Sequence, residues 1–207
     1  LTAFRAPAVV KAWAAKRRLG HAEKAMPAAK IMLIRHAEKP NGDGDPGLMP
    51  NGVENPRALT LTGWKRANAL VGLFNPADGA SPRPPLAKPR SLFASGSESL
   101  RPKQTIAPLA TALNLPVRSF LKGQEPELVA AVKAAEDPVL VSWQHEAIPD
   151  IANLIRGSAD GVPPKWPAHV YDLVWVLDLQ ASGAWSFAQV PELVMPGDSE
   201  KLIGAGD

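Results

Sequence analysis

Four consecutive apolar residues, Ile31-Met32-Leu33-Ile34, run straight into the pair Arg35-His36. A run that short, and apolar at every position, suits a strand buried on both faces, which requires a sheet covered by helices on either side. Similar runs recur at Ser91–Ala94 and Val139–Trp143, with a weaker strand pattern at Val117–Leu121. Helical periodicity fills the intervals. One helix starts at Thr60 as N-cap and carries Trp64, Ala67, Leu70 and Val71; another starts near Ser99 and carries Ile106, Leu109 and Leu113. A third follows Pro126, and a fourth follows His145 and stops at Gly157, a natural residue just past a helix end. Strands alternating with helices predict an α/β fold, a three-layer α/β/α sandwich around a mostly parallel central sheet. Tyr171–Leu179, the Ser182-Gly183 turn and Trp185–Val190 read instead as a C-terminal hairpin extending the sheet edge.

The chain has 207 residues and 45% apolar content, which suits one ordinary domain. No apolar run approaches the length needed to span a bilayer, so no membrane association is expected. The absence of cysteine excludes disulfides, a thiolate nucleophile and thiolate metal sites. A net charge of +3 would invite a nucleic-acid reading, but its distribution weakens it. Within residues 1–30, Arg5, Lys11, Lys16, Arg17, Arg18, Lys24 and Lys30 face Glu23 alone, a net +6, so the remainder carries −3. A mildly acidic body is a poor match for a nucleic-acid footprint. Residues 1–25 are expected to be a basic leader outside the fold, with residues 26–207 forming one domain. A cytoplasmic location is expected, with processing of the leader left open. Two loops, Pro40–Arg57 and Asn75–Arg90, are long and rich in turn-forming residues; the first is read as a lid or pocket wall.

Reactive residues gather at strand ends. Arg35-His36-Ala37-Glu38-Lys39-Pro40 follows the first buried strand, where ligands of open parallel sheets bind. Arg101 follows Ser91–Ala94 and opens a helix, whose free N–H groups and dipole suit phosphate, as does a guanidinium fork. His145 follows Val139–Trp143. Three strands thus deliver a cation or imidazole to one sheet edge, which describes a pocket for a dianion. Glu146 beside His145 does not make a zinc-protease motif, because Pro149 stands where its second histidine would be. Four histidines without clustered carboxylates predict no metal site, and His21 and His169 receive no function.

The ordered set of motifs resembles the histidine phosphatase superfamily, which includes the cofactor-dependent phosphoglycerate mutases. The resemblance rests on Arg35-His36 after a buried strand, Leu59-Thr60-x-x-Gly63, Arg101-x-x-Gln104-Thr105, and His145 after a late strand. It spans most of residues 30–157 and implies a phosphoglycerate mutase-like fold. It further implies that His36 accepts the phosphoryl group while Arg35, Arg101 and His145 clamp its oxygens, without a metal or other cofactor. His36 must then keep one ring nitrogen free, its other N–H held by something such as a backbone carbonyl, while His145 is more useful protonated. The general acid implied is Glu125 first, then Glu146, then Glu38. Lys39 would either add charge for a phosphate-rich substrate or simply be solvated.

Two departures bear on activity. Family mutases usually have Arg-His-Gly followed by small polar residues, whereas Ala37-Glu38-Lys39-Pro40 stands here, favouring a phosphatase over a mutase. Trp143-Gln144 replaces small residues before the second histidine. The expected activity is hydrolysis of phosphomonoesters through a phosphohistidine on His36, the partner being a small phosphorylated substrate or a phosphoprotein. The alternatives are a phosphoprotein (phosphohistidine-type) phosphatase and a catalytically silent phosphate-binding module.

Overall fold

The computed structural model describes residues 28–42 and 44–204. The expected leader at residues 1–25, with His21, lies outside them. Six strands form one sheet: β1 (Lys30–Arg35), β2 (Ser91–Ser95), β3 (Val117–Phe120), β4 (Val139–Trp143), β5 (Leu173–Leu179) and β6 (Trp185–Pro191), in the order β3-β2-β4-β1-β5-β6. The first four run parallel. β5 joins β1 antiparallel and β6 joins β5 antiparallel, so the hairpin extends the sheet on the β1 side, as its sequence predicts.

The central strands β1, β2 and β4 are buried on both faces because helices cover both, whereas the edge strands β3 and β6 keep exposed residues. Alternate β1 residues point to opposite sides. Met32 and Ile34 join Leu70 and Phe74 of α1 (Leu61–Phe74) and Ile106 and Leu109 of α2 (Arg101–Leu113). Ile31 and Leu33 join Leu128 and Val132 of α3 (Glu125–Lys133) and Ile151 and Ile155 of α4 (Ile148–Arg156). The three-layer sandwich is borne out, with α1 and α2 on one face and α3 and α4 on the other.

Local chemistry sets the helix starts and stops. The Thr60 hydroxyl accepts from the Gly63 N–H at 3.1 Å, satisfying one free donor of the first turn of α1. Gly157 ends α4 in the left-handed conformation, φ 70°. α2 begins at Arg101, two residues after the expected Ser99, and no side chain caps it. None of the described helices is long and apolar enough to cross a membrane.

Candidate functional site

β1 and β4 are adjacent and parallel, so their carboxyl ends deliver His36 and His145 side by side. The His36 N–H donates to the Trp143 carbonyl at 3.0 Å, carrying the ladder one step beyond the strand. The next residue is pinned from α2: the Ala37 N–H donates to Thr105 Oγ1 at 2.8 Å, and that hydroxyl donates to the Arg101 carbonyl at 2.8 Å. Thr105 therefore locks the loop after β1 to the first turn of the helix bearing Arg101. Gln104 does the same for the approach to α1, its Oε1 accepting from the Leu59 N–H at 2.8 Å. Gly63 is required by a close approach, since a Cβ there would lie 2.5 Å from the Glu38 carbonyl oxygen.

His36 is 3% exposed. Its Nδ1 lies 2.7 Å from the Ala37 carbonyl, a contact that only a protonated Nδ1 satisfies, leaving Nε2 with its lone pair. Burial, and then the charges of Arg35, Arg101 and His145, push its pKa down to about 3 against the opposing pull of that carbonyl. It is a neutral base across the physiological range.

Arg35 is buried at the floor of the site. Its Nη1 donates to the carbonyls of Ala168 (2.6 Å), Val170 (2.9 Å) and Pro167 (3.4 Å). Its guanidinium carbon sits 3.8 Å from the centre of the Tyr171 ring. Nε and Nη2 find no partner among the described residues, and an anion would offset the cost of burying them. Arg101 Nη1 donates to the Pro56 carbonyl at 3.1 Å, and its Nε is likewise buried without a partner. Burial works against the charge of both guanidinium groups; the carboxylate of Glu146 works for it.

His145 Nδ1 lies 3.2 Å from a Glu146 carboxylate oxygen. Burial first, then the charges of Arg35, Lys39 and Lys122, lower its pKa, with Glu146 opposing. The protonated form expected from sequence is thus disfavoured by its cationic neighbours. A dianion between Arg35 and Arg101 would reverse that balance.

The three candidate acids part company. Glu125 is the first residue of α3 and turns to its own loop, Oε1 accepting from the Gly123 N–H at 3.2 Å. Glu38 is engaged by the Arg66 Nε at 2.9 Å. Glu146 is the carboxylate whose charge reaches His145, Arg35 and Arg101 together. Lys39, half-buried, stands on the loop that leaves His36.

Two features of the site escape a sequence reading. Tyr171, the chain's one tyrosine, places its ring 6.4 Å from that of His36. The antiparallel register pairing Ile34 with Val174 carries the chain back past the end of β1 and brings it there. Arg66 gathers Glu38, Glu192 (2.9 Å) and Asp198 (2.7 Å) in a nearly dry cluster that ties the loop after β1 to the chain beyond β6. Its signal was its place on the buried helical face shared with Gly63, Ala67, Leu70 and Phe74. Among the described residues no grouping of three or more histidines or carboxylates is placed to hold a metal ion.

Solved structures share this architecture. A protein assigned as an α-ribazole-5′-phosphate phosphatase from Escherichia coli superposes with TM-score 0.50 at 14% identity, covering 82% of this chain and all of that one. The chain has the fold of the histidine phosphatase superfamily. Two further chains with this fold are similar at lower scores. A protein assigned as the phosphohistidine phosphatase SixA of Agrobacterium tumefaciens has TM-score 0.47 and 16% identity, with 83% and 100% of the two chains covered. A phosphoserine phosphatase of Entamoeba histolytica has TM-score 0.45 and 14% identity, with 76% and 94% covered. No family model and no curated protein matches the sequence.

Proposed function

We propose that the chain is a metal-independent phosphatase that hydrolyses phosphomonoesters through a phosphohistidine on His36. The observation that carries the reading is the 2.7 Å contact between Nδ1 and the Ala37 carbonyl, which fixes the tautomer and leaves Nε2 nucleophilic on a ring that resists protonation. The unpaired nitrogens of Arg35 and Arg101 supply donors for the phosphoryl oxygens at the same sheet edge.

In the first step Nε2 attacks phosphorus, the P–N bond forms and the P–O bond to the leaving group breaks. The departing oxygen takes a proton from a carboxyl group, a role best suited here to Glu146. Water then attacks phosphorus and returns a proton to that carboxylate. The P–N bond breaks, inorganic phosphate leaves and His36 is neutral again. Charge spread over the phosphoryl oxygens is met throughout by the two guanidinium groups and by His145, protonated once the dianion is bound.

The test is turnover of an aryl phosphate in the presence of chelator, beside His36→Ala. Native turnover should survive the chelator, and the variant should lose at least about a thousandfold. Equal activity in the two forms would remove His36 as nucleophile.

A further inference from the structure

We infer that Tyr171 is a positioning residue of the proposed phosphate site: its ring holds the Arg35 guanidinium by the face, which keeps two nitrogens of that fork free for an oxyanion. The inference rests on the phosphatase reading above, and the residue it names stands outside every motif of the family resemblance.

A buried guanidinium must be compensated for its lost hydration, and the kind of partner decides what its fork can still do. Arg66 shows one solution. Its Nε, Nη1 and Nη2 reach the carboxylates of Glu38, Glu192 and Asp198 at 2.9, 2.9 and 2.7 Å, so its fork is spent on the fold. Arg35 shows another. Among the described residues it has no ion pair. Backbone carbonyls take Nη1, and the Tyr171 ring covers the flat face, its centre 3.8 Å from the guanidinium carbon. An aromatic face attracts a cation through its quadrupole. Unlike a carboxylate, it occupies no N–H and sets no negative charge against an incoming dianion. Nε and Nη2 stay buried and unpaired.

The two constraints on Arg35 complement each other. The carbonyls fix one nitrogen, about which the plane could still rock, and the ring fixes the plane. Tyr171 is itself held through both neighbours. The Val170 carbonyl before it accepts from Arg35 Nη1 at 2.9 Å and from Trp166 Nε1 at 3.0 Å. Asp172 after it accepts the Glu192 N–H on its carbonyl at 2.8 Å and the Ser199 N–H on its carboxylate at 2.7 Å. The ring stands 6.4 Å from that of His36, so it borders the site as well as the arginine. Among the described residues the Tyr171 hydroxyl makes no hydrogen bond, which leaves the ring as the part that acts.

The experiment is a double-mutant cycle on the full chain, with inorganic phosphate as the probe and calorimetry as the readout. Tyr171→Phe keeps the ring and should bind phosphate within about twofold of the native chain, whereas Tyr171→Leu should bind about tenfold more weakly. In an Arg35→Met background no fork remains to be oriented, and Tyr171→Leu should cost less than about twofold further. A tyrosine that merely packs would weaken both backgrounds alike, and that result would overturn the inference. Equal losses in the Phe and Leu variants would overturn it too, by giving the role to the hydroxyl, as would native affinity in Tyr171→Leu. Because binding is read without turnover, the expected cycle accompanied by no hydrolysis of aryl phosphates would count against the phosphatase reading alone. Absence of phosphate binding by the native chain would overturn both.

Discussion

The protonation of His36 gives a prediction that needs no substrate. An exposed histidine titrates at 6.5, whereas burial and cationic neighbours hold His36 at about 3. Between those values the unfolded chain binds a proton that the native chain refuses. The associated stability is therefore fully present above pH 6.5 and is lost as pH falls towards 3. The full difference corresponds to about 5 kcal/mol, of which roughly 3 kcal/mol is gone at pH 4.5. Glu192 runs the other way. Burial, against the pull of Arg66, pushes its carboxyl up to about 8 from 4.5, so its contribution is present below 4.5 and lost as pH rises through 8. The two trends partly cancel in the native protein, so its own pH dependence decides nothing. Comparison with His36→Asn isolates the histidine, because the carboxamide does not titrate and can still donate to the Ala37 carbonyl. Urea denaturation of both forms at pH 7.5 and 4.5, at fixed ionic strength, should show the stability difference moving by about 3 kcal/mol in favour of the variant at the acidic pH. The same difference at both pH values would refute a buried, neutral His36.

Replacing Arg66 with Met leaves Glu38, Glu192 and Asp198 facing one another without a cation, and should cost about 3–5 kcal/mol in denaturation; a loss below about 1 kcal/mol would mean the cluster is effectively solvated. Gly63→Ala pits a helix preference of about 1 kcal/mol against a 2.5 Å approach to a backbone oxygen that cannot swing aside, and the clash should win by about 1–3 kcal/mol. A stabilised variant would show that α1 and the Glu38 backbone are not so close.

Sequence resolves what local pattern controls. β4 was read to its observed ends, and Thr60 and Gly157 mark helix ends because their chemistry acts within a turn. The residues at the ends of β1, β2 and β4 could be placed at one edge because parallel strands all point the same way. What could not be read depends on contacts between distant segments. The hydrogen bond of Thr105 to Ala37 spans 68 residues, and that of Arg35 to Val170 spans 135. The choice among Glu125, Glu146 and Glu38 failed to resolve for the same reason. Each follows the end of a parallel strand in the sequence, and only side-chain partners separate them: a loop amide for Glu125, Arg66 for Glu38, and His145 for Glu146.

The C-terminal hairpin adds little to the motif resemblance, yet the segment that leads into it holds Arg35. A buried guanidinium is useful to a phosphoryl group only if its fork is held with the right nitrogens free. The carbonyls that take Nη1 of Arg35 belong to Pro167, Ala168 and Val170, and the ring that faces it belongs to Tyr171, immediately before β5. That approach is in turn fastened to the chain beyond β6. The Glu192 N–H donates to the Asp172 carbonyl at 2.8 Å, and the Ser199 N–H donates to the Asp172 carboxylate at 2.7 Å. Glu192 and Asp198 then reach Arg66, and Arg66 reaches Glu38, two residues from His36. The loop of contacts therefore closes on His36 from both sides of β1. Loosening the hairpin should release Arg35 and the loop after β1 together, so damage beyond β6 would reach the proposed phosphate site before it reached the sheet.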